Sequence, residues 1–265
     1  MVDIVELTIL GGVAGFTIFL GLPVALVGIS DRVKGFLNAL AVGILLFLII
    51  DVFSHAWDST TDQVVSAFQG GGSAIGAAQY LILMFGGLAL GLLGLVFYER
   101  RYIGDRPEGA GPQKLSSMIA LGIGAHNLSE GLAIGQAYLA GLIGLNKGLA
   151  FVLVVGFAAH NATEGFGIIS PLTGMNPRPT VSFLAKVLFI GGAPTLIGTL
   201  MGSVSFSPLA YVFFLSLAGG ALVYVTMTMF SAGRRQHSGN LMMWGIFIGL
   251  CAGLLTDLVV SIGGA

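Results

Sequence analysis

The stretch LSSMIALGIGAHNLSEGLAIGQAYLA, residues 115–140, contains one carboxylate, Glu130, and no Lys, Arg or Asp. Its length suits a helix crossing about 30 Å of hydrocarbon, which takes roughly 20 apolar residues. A second apolar run follows at residues 145–170, and the two share a motif. GIGAHNLSEG at 122–131 aligns with GFAAHNATEG at 156–165, so HNxxEG stands on consecutive segments. Ionisable side chains in the middle of such segments cost on the order of 2.5–3.5 kcal/mol each, which makes a functional reading the default.

The rest of the chain has the same character. Hydrophobic residues make up 55% and charged residues 9%, a balance that a single water-soluble core would not keep in solution. Apolar runs of spanning length occur at 5–29, 35–57, 74–98, 115–140, 145–170, 183–204, 209–230 and 241–262. Backbone groups in lipid must pair within their own segment, and a barrel would instead alternate over about 10 residues, so each run is read as a helix. The expectation is an all-α integral membrane protein, one transmembrane domain over residues 1–265 with eight transmembrane helices. The 42 glycines then serve close helix packing. Asp3 and Glu6 ahead of a long first run argue against a cleaved signal peptide, so that run is expected to stay.

Basic residues set the orientation. Arg32 and Lys34 lie between runs 1 and 2, and Arg100, Arg101, Arg106 and Lys114 lie in or beside a connection at 99–114. Arg178 and Lys186 mark the connection from 5 to 6, Arg234 and Arg235 that from 7 to 8, and only Lys147 falls opposite. The positive-inside rule places these connections in the cytoplasm and both termini outside. Plasma or inner membrane is the expected location. Acidic residues gather at the outer face, which would attract cations; depletion of Lys and Arg outside would equally leave any acid there unbalanced, and nucleic acid is not an expected partner.

The motif itself carries the chemistry. A spacing of four turns about 40° past a full helical turn and rises about 6 Å, so His126 and Glu130 share one face, as do His160 and Glu164. Asn127 and Asn161 lie three residues before the glutamates, on adjoining stripes. Consecutive spans run in opposite directions, so the two copies can face each other near the midplane, where transporter sites tend to lie. Two carboxylates cancel one divalent ion. Nitrogen and oxygen donors without thiolate suit zinc, ferrous iron, manganese, cobalt or cadmium, and do not choose among them. The metal is a transported substrate here, and no cofactor is expected. Affinity should fall at low pH, because bound His is neutral and bound Glu ionised.

Weaker signals lie elsewhere. Asp51 and His55 repeat the spacing of four near the outer end of run 2, with Asp58 and Asp62 beyond, and could capture arriving metal. Ordinary solvated residues at a helix end would look the same. Asp257 reads as a solvated end residue, His237 as a loop residue, Cys251 as packing, and Met227 and Met229, on nearly opposite sides of a helix, as lipid or packing contacts.

At the HNxxEG residues the chain resembles the ZIP (Zrt/Irt-like) family of metal transporters, whose fourth and fifth helices carry motifs of this His, Asn and Glu kind. The plan of eight spans agrees, with smaller echoes in GGAPTLIG at 191–198 and AGGALVYV at 218–225. The resemblance implies a binuclear site: His126, Glu130, His160 and Glu164 around one metal, and Asn127 and Asn161 beside a second that shares the glutamates. It also implies movement of metal into the cytoplasm, a homodimer and alternating access. Three features depart from the family. The sixth run has no carboxylate and shows Ala193 before Pro194; Ser129 and Thr163 stand where many members have proline; and residues 99–114 lack His and Cys. The hydroxyls could bond back to a carbonyl one turn earlier and partly replace a proline bend. A membrane-embedded metal-dependent hydrolase is the alternative, but neither HExxH nor GxSxG occurs, and a di-iron oxidase would show Glu three residues before His. The chain is not expected to be an enzyme.

Overall fold

The computed structural model describes residues 3–26, 30–102, 111–142, 149–173, 175–204, 207–236 and 239–262, excluding a few side chains within helices, His160 and Thr163 among them. Every regular element among the described residues is helical. These are α1 (Ile4–Phe16), α2 (Leu22–Leu26), α3 (Asp31–Phe68), α4 (Ala74–Tyr102), α5 (Pro112–Leu142), α6 (Leu149–Ile169), α7 (Val181–Gly202), α8 (Pro208–Gln236) and α9 (Gly239–Ile262), with 3-10 turns at Thr17–Gly21 and Ser170–Leu172. Six described segments are long and apolar enough to cross a membrane: Ile4–Gly21, Gly35–Phe68, Ala74–Arg101, Val181–Gly202, Pro208–Ser231 and Gly239–Leu258. The other two predicted runs fall on α5 and α6, which carry the motif. The protein is a multi-pass helical membrane protein.

Local chemistry explains the helix ends. Asp3 Oδ1 accepts from the backbone N–H of Val5 at 2.9 Å and of Glu6 at 3.2 Å, capping α1. Thr180 caps α7 through the Phe183 N–H at 3.2 Å. The first predicted run is broken rather than continuous. Pro23 has no N–H for the Phe19 carbonyl, and the chain tightens into the 3-10 turn ahead of it, with the Leu22 N–H donating to that oxygen. The second run continues well past residue 57, to Phe68, and ends where Gly70 adopts φ 80°. Asp58 and Asp62 therefore stand on helix, and their polarity does not mark its end. The connection predicted at 99–114 is shorter, because α4 continues to Tyr102 and Pro112 opens α5.

Between helices in lipid the hydrophobic effect contributes little, so close packing has to hold them. Glycines provide it in two groups. In the first, α5 runs parallel to α7, with Gly124 against the Ile190 carbonyl, Gly131 against that of Thr195 and Gly135 against that of Thr199. The 3-10 turn after α1 meets α6 where Gly165 abuts the Ile18 carbonyl, and α1 crosses α7 at Gly15 and Gly192. In the second, α4 runs parallel to α8 through Gly91 against Leu217, and α3 runs parallel to α9 through Gly249 against Leu40. The groups meet where α5 faces α8 and α6 faces α3. Larger side chains fill the space there, in a core that includes Leu45, Leu48, Ile123, Leu222 and Val225.

Candidate metal centre

α5 brings His126 and Glu130 together as the spacing of four requires, with His126 Nε2 3.3 Å from Glu130 Oε1 and both side chains almost fully buried. Ser129 Oγ donates to the His126 carbonyl at 2.6 Å, a hydroxyl back-bond of the kind expected for it. The side chains of Thr163 and His160 lie outside the described residues. The helical position of His160, one residue before Asn161 on α6, is described.

α6 runs antiparallel to α5 at the motif, and the asparagines join the two copies. Asn127 Nδ2 donates to Glu164 Oε2 at 3.1 Å, and Asn161 Nδ2 donates to Glu130 Oε2 at 3.5 Å. Helical spacing had placed each Asn beside the carboxylate of its own helix; the tertiary arrangement pairs it with the carboxylate of the other. Each amide nitrogen has a second acceptor on a flanking helix. For Asn127 this is the Gly191 carbonyl of α7 at 3.0 Å, and for Asn161 the Ala14 carbonyl of α1 at 2.9 Å. The two amide oxygens are buried and have no hydrogen-bond partner among the described residues.

Two buried carboxylates, an imidazole and two buried amide oxygens thus lie on the facing stretches of two antiparallel helices. They supply the neutral nitrogen and anionic oxygen donors that a divalent transition metal takes. Among the described residues no three of His, Cys, Asp and Glu close on one ion position, and the fourth member of the motif set, His160, falls outside them. The described amide contacts show how Glu130 and Glu164 are held. Each carboxylate accepts an amide hydrogen bond, which steadies it in a medium that would otherwise penalise it.

Asp51 and His55 also meet, His55 Nδ1 lying 2.9 Å from the Asp51 carbonyl and 3.5 Å from its carboxylate. Both are partly open, with side chains 29% and 59% exposed. Asp51 lies within electrostatic reach of His126, Glu130 and Asp257, so this half of α3 looks onto the centre. Asp58 is exposed farther along the same helix, Asp257 is exposed on α9, and Ala193 is buried on α7. His237 lies outside the described residues. Met229 is buried and Met227 exposed, as their spacing of two requires.

Sequence reasoning missed two polar pairs. Glu99, placed in a loop, is 5% exposed inside α4 and accepts a hydrogen bond from Tyr224 Oη of α8. Tyr138 Oη of α5 donates to Glu6 Oε2 at 2.8 Å and accepts from the Asp3 N–H at 3.2 Å, tying α1 to α5. A tyrosine inside an apolar run is the one signal that the sequence offered for either.

The fold and this centre define a multi-pass helical membrane protein with buried His126, Glu130 and Glu164 and two cross-linking asparagines between two antiparallel helices. Residues 102–256 match the ZIP zinc transporter family, and the chain belongs to it. Relatives include proteins from Homo sapiens and Pongo abelii, both named Zinc transporter ZIP6. Each is 27% identical over 163 residues, covering 60% of this chain and 21% of the relative. The match thus spans about a fifth of the length of these relatives.

Proposed function

We propose that this chain carries divalent transition-metal cations, zinc foremost, across the membrane into the cytoplasm. Iron, manganese, cobalt and cadmium offer similar donor preferences. The observation that carries the reading is the reciprocal pairing of Asn127 with Glu164 and Asn161 with Glu130 between buried, antiparallel helices. In this reading His126, Glu130, His160 and Glu164 hold the ion, and Asn127 and Asn161 stand beside a second position that shares the glutamates. Asp51, His55 and Asp58 form an outer capture site, where the partial exposure of the Asp51–His55 pair suits exchange with solvent.

The wider architecture of the proposal is eight spans with both termini outside, forming one transmembrane domain in the plasma or inner membrane and working as a homodimer. Alternating access is supported by the packing: glycine contacts bind helices closely inside each of two groups, whereas larger side chains lie between the groups. Membership of a transporter family weighs against the hydrolase alternative.

Uptake of radiolabelled zinc, manganese and iron into proteoliposomes tests this. Glu130→Ala and His160→Ala should abolish a flux that the native chain supports, with folding preserved. Purified native protein that binds metal but moves none across a sealed bilayer would end the transporter reading.

A further inference from the structure

Many threonine hydroxyls inside these helices follow one habit. Thr8, Thr60, Thr199, Thr228 and Thr256 each donate to the carbonyl four residues back, at 2.7–2.9 Å. Such a bond satisfies a hydroxyl where lipid offers no partner. Thr195 of α7 departs from it. The carbonyl four residues back belongs to Gly191, and Asn127 Nδ2 already donates to that oxygen. Thr195 is fully buried, and its hydroxyl has no hydrogen-bond partner among the described residues. Folding does not leave such a group bare without cost, so an occupant is called for.

Its surroundings indicate which occupant. Thr195 Cβ stands 3.0 Å from where a Cβ on Gly15 would lie, and Gly15 follows Ala14, whose carbonyl holds Asn161. The Thr195 carbonyl abuts Gly131, the residue after Glu130. Asn161 Oδ1, also buried and without a partner among the described residues, belongs to the amide that reaches Glu130 Oε2. Thr195 of α7 and Asn161 of α6 therefore both pack on the Ala14–Gly15 stretch of α1, and the Thr195 backbone rests on the residue after Glu130. Ser216 and Thr226 are also buried hydroxyls without partners among the described residues, but they stand on α8 in the other packing group, with Ser216 against Gly87 of α4.

We propose that Thr195 Oγ1, with Asn161 Oδ1, forms a neutral oxygen site that holds a water of hydration of the divalent cation while the ion is bound at Glu130. This rests on the transport reading above and adds a residue outside the HNxxEG motifs. Water on a divalent ion is polarised and donates strongly, and both oxygens can accept from it. Neutral acceptors leave the ion's charge to the two glutamates, so the ion keeps part of its hydration and is held without a third carboxylate. α7, with Ala193 in place of an acid, supplies a hydroxyl instead.

The test compares Thr195→Val, which keeps the shape and removes the hydroxyl, with Thr195→Ser, which keeps the hydroxyl. Zinc uptake into proteoliposomes is read as KM and maximal rate beside the melting temperature, and zinc affinity is read by calorimetry on the purified protein. Loss of a group that orients a metal's surroundings weakens affinity on the order of 10-fold or more, and the Val variant should raise KM and Kd by about that factor. Its melting temperature should hold or rise, because a buried hydroxyl has gone, and Thr195→Ser should restore most of the affinity. A Val variant with a higher melting temperature and native KM and Kd would show the hydroxyl to be only a packing fault, overturning the proposal. A Ser variant as weak as the Val variant would also overturn it. Native protein that moves no metal would defeat the transport reading, while the calorimetric comparison would still decide the role of the hydroxyl.

Discussion

Asn127 Nδ2 of α5 donates to Glu164 Oε2 of α6 at 3.1 Å, and the same amide nitrogen donates to the Gly191 carbonyl of α7 at 3.0 Å. One side chain thus ties three helices together at the candidate metal centre. Its counterpart Asn161 does the same for α6, α5 and α1, through Glu130 Oε2 and the Ala14 carbonyl. The repeat visible in the sequence is repeated in its hydrogen bonding.

Removing one of these amides strips a buried carboxylate of a donor. Asn127→Ala is expected to destabilise the protein by about 1–3 kcal/mol. In the Glu164→Gln background, where no charge needs support, the same change should cost less. A double-mutant cycle on melting in detergent measures the difference, and strict additivity would show that the contact carries no coupling.

Zinc should compete with protons at the centre. A bound imidazole must be neutral and a bound carboxylate ionised, so affinity falls as pH is lowered and binding releases protons. Calorimetry in two buffers of different ionisation enthalpy counts the protons released. Glu130→Gln should weaken zinc affinity, and an unchanged affinity would remove Glu130 from the ligand set.

One tight pathway site is the expected stoichiometry. The proposed second position would draw on the amide oxygens of Asn127 and Asn161, with Ala193 where a carboxylate would add charge. Zinc titration that resolved two equally tight pathway sites would contradict this.

Glycine packing gives a prediction on stability that is independent of metal. A Cβ on Gly131 would collide with the Thr195 carbonyl, whereas one on Gly86 or Gly94 of α4 meets nothing within 4 Å. Gly131→Ala should lose about 1–3 kcal/mol through overpacking. Gly86→Ala and Gly94→Ala should be neutral or gain up to about 1 kcal/mol from helix propensity. Melting temperatures of the three variants should separate the first from the other two.

Glu99 offers a contrast with the centre. Tyr224→Phe removes the one hydrogen-bond donor that the described residues give its carboxylate and should destabilise by about 1–3 kcal/mol. Replacing Glu99 by Leu as well should recover part of that loss, since no buried carboxylate then remains to be satisfied. Failure of the double variant to recover stability would indicate that Glu99 serves more than this contact.

Much of this protein was legible from residue order alone. Long apolar runs announce helices in lipid, because unpaired backbone cannot be left there. The spacing of four puts His126 over Glu130 whatever surrounds them, since an α-helix repeats every 3.6 residues. The two copies of HNxxEG identified the family resemblance for the same reason: the motif is local. Helix ends were less legible, as at Phe68 and Glu99, because polarity changes where a helix leaves lipid and the backbone need not stop there.

What the tertiary structure alone decided is which groups from different helices meet. Spacing placed Asn127 beside Glu130, but the antiparallel approach of α5 and α6 hands it to Glu164. Nothing local points from Asn127 to the carbonyl of Gly191, or from that contact to the Thr195 hydroxyl, which has no partner among the described residues. Those relationships depend on how closely α7 can approach α5, and that distance is set by the glycines at 124, 131 and 198, where one backbone rests on another.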